Sequence, residues 1–255
     1  MPQTSIEQPG RQQQLNRHLQ YLKLPYIREQ AQPHAKQATD KKWTHLDYLQ
    51  RLVEGEVHQR HDRAIQRSIK AARFPLIKTL DQFNFDWPKK INDLQVKDLF
   101  RLNFLQDHGN AIFLGGVGMG KTHLATALGY AACLQGHRVL FANTIDVVNT
   151  LSAAQAQGRL KAELKKYQTP RLLILDELGY LPIDQRGADL LFQVISHRYE
   201  RGSILLTTNR PFKEWASIFN NDATIASAVL DRLLHHAETV VIEGKSYRMK
   251  GRTEN

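Results

Sequence analysis

The sequence predicts an α/β fold, a five-stranded parallel sheet covered by helices on both faces, preceded by a small all-helical module. Three observations lead there. From residue 110 on, short apolar runs at 111–114 (AIFL), 139–142 (VLFA), 172–175 (LLIL), 203–207 (SILLT) and 239–242 (TVVI) alternate with longer helical stretches. That is how strands buried on both faces and joined by crossover helices read. The first run ends in a glycine-rich turn, GGVGMGKT, that opens directly into a helical segment. Upstream of residue 73, apolar residues recur at three- and four-residue spacing, the period of helices.

The opening residues are rich in Pro and Gln and predict no regular structure. Leu15, Leu19, Leu22 and Tyr26 then form a helix stripe that Pro25 must break or kink, and a polar stretch around Pro33 interrupts it. Trp43, Leu46, Leu49, Val53 and Val57 restart the pattern, which Ile65 and Ile69 extend to Ala72. Residues 1–72 are therefore expected to form the helical module. Arg60, Arg63, Arg67, Lys70 and Arg73 follow one another at steps of three or four, which places five cations on one helix face. A solvated face and a stripe that tracks phosphates both fit this spacing. Residues 73–108, with Pro75, Pro88 and scattered aromatics, read as a linker. Its Phe83, Phe85 and Trp87 either pack it onto the next domain or offer a surface for stacking bases. Residues 109–243 hold the α/β domain, and 244–255 are a basic tail.

The chain has 255 residues and a formal net charge of +10, concentrated at its ends. Residues 1–70 carry 12 Lys/Arg against 7 Asp/Glu, and 244–255 carry 4 against 1, whereas 109–243 hold 13 against 12. A polyanionic partner is expected to meet the ends. Hydrophobic residues at 42% and charged residues at 24% suit a soluble globular chain. No apolar run approaches the roughly 18 residues of a membrane span, and the N-terminus lacks a signal-peptide core. Cys133, the single cysteine, sits in an apolar run and reads as a buried hydrophobe. A cytoplasmic protein without membrane attachment is expected.

Gly115, Gly116, Val117, Gly118, Met119, Gly120, Lys121 and Thr122, followed by His123, satisfy the Walker A pattern between a strand and a helix. Glycines allow backbone N–H groups to approach phosphates, Lys121 reaches the β and γ oxygens, and the Thr122 hydroxyl ligates Mg²⁺. The run LLILDE ends in two carboxylates at the carboxyl edge of the sheet. Asp176 is placed to hold Mg²⁺ and Glu177 to activate a water, which points to hydrolysis of ATP. Asn209, at the end of SILLTTN, either positions that water or is a turn residue.

Together the segments GGVGMGKTHLATALGYAAC, LLILDELGY, TTNRPFKEW and LDRLLHHAETVVIEGKSYRMKG resemble the IstB family. These are AAA+ ATPase helpers of bacterial transposition, related to DnaC-type helicase loaders, and the resemblance spans nearly the whole chain. It implies an AAA+ core, a sensor-1 role for Asn209, and an arginine-finger role for Arg232, whose charge would act on a neighbour's nucleotide. Arg198 and Arg201 are the runner-up fingers or interface cations. The 12 residues after the last strand are too few for the helical lid of many AAA+ proteins, so the site is expected to need a neighbouring subunit.

The resemblance further implies ATP-dependent oligomers that assemble on duplex DNA with little sequence preference, recruit a transposase and hydrolyse ATP under stimulation by DNA. On that reading Arg60, Arg63, Arg67, Lys70, Lys245, Arg248, Lys250 and Arg252 are the candidate DNA contacts. A replicative helicase loader is the nearest rival, and it shares every ATPase motif. A small P-loop kinase and an ATP-gated clamp without turnover are more distant.

Overall fold

A computed structural model of the chain describes residues 10–247, which fall into two compact units that divide after Gln66. The first unit is helical, with α1 (Arg11–Tyr21), α2 (Pro25–Asp40) and most of α3 (His45–Ala72). Pro25 occupies the first turn of α2, where its missing N–H sacrifices no helical bond. The carboxylate of Glu56, on α3, is buried and accepts a hydrogen bond from the Ile27 N–H at 3.2 Å. It thereby satisfies an orphan donor at the start of α2 and meets the positive end of that helix.

One expectation fails in this unit. Pro33 does not interrupt the chain but lies inside α2. The Glu29 carbonyl four residues back loses its helical donor, yet Glu29 is exposed, so water can replace it. The stripe of Leu46, Leu49, Val53 and Val57 is 45% to 71% exposed, while Leu52 and Glu56 are buried. The Glu56 contact and the Tyr26 ring, which lies where a Cβ on Gly55 would stand, fix which face of α3 turns inward.

The second unit carries the sheet. Its strands are β1 (Asn110–Gly115), β2 (Val139–Asn143), β3 (Leu172–Leu178), β4 (Ser203–Thr208) and β5 (Ala237–Ile242), in the order β2-β3-β4-β1-β5 and all parallel. Alternate residues feed opposite cores. Ile112, Leu173, Leu175 and Leu206 pack with α6 (Thr144–Ala156), α7 (Leu160–Gln168), α8 (Gln185–Arg198), α9 (Trp215–Ile218) and α10 (Ala223–Leu234). Phe113, Leu172, Ile174 and Leu205 pack with α5 (Lys121–Leu134) and, from the segment 73–108, with Val96 and Leu99 of α4 (Asp93–Leu99) and with Leu102 and Leu105.

Because β4 lies between β1 and β3, the turns that leave these three strands emerge side by side at the carboxyl edge, where open α/β sheets bind ligands. Among the described residues no helix is long and apolar enough to cross a membrane.

Candidate active site

The turn between β1 and α5 has Gly118 at φ +74° and Gly120 at φ +86°, a left-handed geometry that glycine adopts without a Cβ clash. Lys121 is nearly buried, and its Nζ donates to the carbonyls of Gly115 at 2.8 Å and Gly116 at 2.7 Å. The next side chain, Thr122, donates its hydroxyl to the Asp176 carboxylate at 3.0 Å.

A register shift between Leu175 and Leu178 interrupts the pairing of β3 with β4, and Glu177 inside it has φ +61°. Such a bulge re-aims side chains, and here both carboxylates face the phosphate loop. Thr207 on β4 locks the geometry: its hydroxyl donates to Asp176 Oδ1 at 2.5 Å and accepts from the Glu177 N–H at 2.9 Å. Burial pushes the Asp176 carboxyl above its usual pKa, against the pull of the hydrogen bonds from Thr207 and Thr122. A 5% exposed carboxylate beside a threonine hydroxyl is a hard-oxygen donor set suited to Mg²⁺.

Asn143 ends β2 in register with Asp176. Its Oδ1 caps α6 through the Ile145 N–H, and its Nδ2 donates to Glu177 Oε2 at 2.7 Å. Asn209 follows β4, and its Oδ1 is a buried oxygen without a hydrogen-bond partner among the described residues. An orphan of this kind carries a desolvation cost until a ligand or water meets it.

One cavity of about 360 Å³ is lined by residues 117–123, Glu177, Thr207 and Asn209, and Asp176 adjoins it through its hydrogen bonds with Thr122 and Thr207. Its other wall comes from segments expected to be linker and tail: Lys78, Phe83, Trp87 and Tyr247 also line it. The Phe83 ring meets His123 edge-on at 5.5 Å, and His123 Nε2 lies 3.0 Å from the Thr79 carbonyl. Lys90 and Glu243 exchange backbone hydrogen bonds, and the Tyr247 N–H donates to the Gly118 carbonyl at 2.9 Å.

Sequence reasoning placed 115–123, Asp176, Glu177 and Asn209 in this cluster but missed Asn143, Thr207 and the cavity wall. A signal existed for the first two, since each stands at the carboxyl end of an expected strand.

Arg232 does not line the cavity: its guanidinium stacks 4.8 Å over the Phe192 ring and donates to the Ala228 carbonyl at 3.0 Å. Arg198, a runner-up finger, is instead 1% exposed and donates to the carbonyls of Tyr167, Gln168, Pro170, Arg171 and Ser203. It ties the ends of α7 and α8 to β4 and is sequestered from any partner. Arg201 is exposed.

Of the candidate DNA contacts, Arg60 is engaged by Glu56 and the Lys23 carbonyl, whereas Arg63, Arg67 and Lys70 are exposed. Lys245 is exposed too, though its carbonyl accepts from Trp87 Nε1. Arg248, Lys250 and Arg252 lie outside the described residues.

The sequence pattern of the family described as IstB-like ATP binding protein matches residues 17–255. The chain belongs to that family. It is 40% identical over 232 residues to the insertion sequence IS21 putative ATP-binding protein of Pseudomonas aeruginosa, covering 91% of this chain and 87% of the relative. It is likewise 40% identical over 238 residues to the IS232 putative ATP-binding protein of Bacillus thuringiensis subsp. berliner, covering 93% and 95%.

Two solved structures share the family's fold. The DnaC helicase loader matches with TM-score 0.53 and 23% identity over 69% of this chain and 99% of its own, and AMPPCP-bound DnaA from Aquifex aeolicus matches with TM-score 0.57 and 22% identity over 70% and 54%. At these identities the likeness concerns the fold alone. The chain is thus a member of the IstB-like ATP-binding proteins, as its motifs lead one to expect.

Proposed function

We propose that the chain is a transposition helper that hydrolyses ATP, with ATP-bound copies assembling on duplex DNA, recruiting a transposase and dispersing after hydrolysis. One observation carries the hydrolytic part: the phosphate loop, Thr122 with its bond to Asp176, Glu177 and Asn209, whose buried oxygen has no partner among the described residues, meet at one cavity.

Residues 115–123 bind the phosphates. Lys121 leaves the Gly115 and Gly116 carbonyls for the β and γ oxygens. Thr122 and Asp176 would hold Mg²⁺, which would supply positive charge to the phosphate oxygens when bound. Glu177 takes the proton of the attacking water, and the Asn209 amide orients that water against the γ-phosphate. Arg232, outside its own chain's cavity, serves the nucleotide of a neighbouring copy, where a guanidinium stabilises the transferring phosphoryl group. The helical module and the basic tail supply DNA and partner contacts, and Arg63, Arg67 and Lys70 are the exposed cations best suited to phosphates. The names of the insertion-sequence relatives support the transposition setting.

The test is phosphate release with and without duplex DNA, in the intact protein and in Glu177→Gln. Stimulation by DNA, a loss of about 10²-fold or more in the variant and DNA-bound assemblies that persist in ATP support the reading. Turnover indifferent to DNA, with no retention of duplex at low salt, overturns it.

A further inference from the structure

The cavity has two chemically different ends. At one stand the glycine-rich turn, Lys121 and Thr122, the last bonded to Asp176, which suit phosphate and its metal. At the other stand Phe83, Trp87 and Tyr247, brought together from segments more than 150 residues apart by the hydrogen bonds that close the wall.

Phe83 is committed to the protein itself. Its ring packs edge-on against Phe85 at 4.9 Å and His123 at 5.5 Å, and it lies where a Cβ on Gly120 would fall. Trp87 and Tyr247 are arranged differently. Their ring centroids are 5.4 Å apart at 87°, so the two planes make a corner beside the phosphate loop. Each ring is fixed from behind: Trp87 Nε1 donates to the Lys245 carbonyl at 3.0 Å, and the Tyr247 N–H donates to the Gly118 carbonyl at 2.9 Å. Ser246 between them presses on Gly118, where any Cβ would meet its Oγ.

A nucleoside triphosphate has the same two-ended character, an anionic chain and a planar heteroaromatic base. With its phosphates on residues 115–122, the base faces the aromatic end. We propose that Trp87 and Tyr247 hold the base of the bound nucleotide, one ring stacking on its face and the other meeting its edge. Aromatic surface reads the face of a base, which every base has, so this wall adds affinity for nucleotides over bare phosphate chains. Both rings are already held in place, so little ordering is lost on binding.

The inference rests on the ATP reading of the cavity, and the experiment separates the two. Calorimetry compares binding of a non-hydrolysable ATP analogue with binding of inorganic tripolyphosphate, each with Mg²⁺, to the full chain and to Trp87→Ala, Tyr247→Ala, Tyr247→Phe and Lys121→Ala. The expected result is that each alanine change at the wall weakens the analogue about tenfold and leaves tripolyphosphate unchanged. Tyr247→Phe keeps the ring and is expected to retain affinity. Lys121→Ala weakens both ligands. Equal losses for both ligands in the wall variants, or no loss for the analogue, overturn the base wall while the phosphate site stands. An intact chain that binds neither ligand overturns the ATP reading as well.

Discussion

The side-chain amide of Asn143 donates to Glu177 Oε2 at 2.7 Å, so the carboxylate proposed above to activate water is tied to the neighbouring strand. A lone pair engaged by an amide is less available to a water proton, and the left-handed backbone of Glu177 (φ +61°) holds the side chain in that pose. Releasing the tie should raise turnover in the absence of DNA. Because Asn143 Oδ1 also caps α6, the informative change is Asn143→Ser, which keeps a good capping oxygen and removes the amide donor. Phosphate release without DNA is expected to rise about three- to tenfold, with the melting temperature nearly unchanged. A lower basal rate would show that Asn143 helps Glu177 rather than restrains it.

Asp176 sets function against stability. Burial raises its pKa, so the folded chain binds this proton more tightly than the unfolded chain does. Its contribution to stability is full at low pH and is lost as pH climbs from the unfolded value of 3.8 through the raised folded one. Near neutral pH and without Mg²⁺ the ionised carboxylate is therefore a cost. Asp176→Asn should raise the melting temperature at neutral pH by about 2–4 °C, an advantage that shrinks as the pH falls toward 4. The same variant should lose Mg²⁺-dependent hydrolysis. Melting curves across pH, paired with phosphate release, check both halves.

Arg232 stacks on Phe192, away from the cavity of its own chain, so its effect on hydrolysis should be exerted in trans. Arg232→Ala should lower turnover by about 10³-fold or more while nucleotide binding persists. Lys121→Ala should be inactive through its own site yet keep an intact finger. Mixing the two variants should recover activity above either alone. If it does not, Arg232 acts in cis or only structurally.

The cations of α3 divide into two kinds. Arg63, Arg67 and Lys70 are exposed, and their replacement by Gln should flatten the dependence of log K for duplex on log salt by about 0.9 for each phosphate left without its cation. Arg60 is held by Glu56 at 3.2 Å and by the Lys23 carbonyl. Arg60→Gln should instead lower thermal stability and leave the salt slope alone. Filter binding over a salt series, with melting curves, separates the two.

Local sequence was enough to establish the α/β class, the five parallel strands and the residues at their carboxyl ends. Apolar periodicity and the chemistry of a phosphate loop are local properties, legible wherever successive residues dictate them. That is why Gly115 to His123, Asp176, Glu177 and Asn209 could be named before any fold was known. The remainder depended on how the chain folds in three dimensions. Thr207 came to bridge Asp176 and Glu177 because β4 inserts between β1 and β3, and Asn143 reached Glu177 because β2 pairs in register with β3. Arg198 proved to be a buried tie among five carbonyls rather than an exposed finger. Pro33 stayed inside a helix because the helix there faces solvent. Trp87 and Tyr247, far apart in the chain, met across the phosphate loop through hydrogen bonds to backbone carbonyls. Backbone carbonyls are alike in every sequence, so which side chain finds which one is settled only when the chain folds.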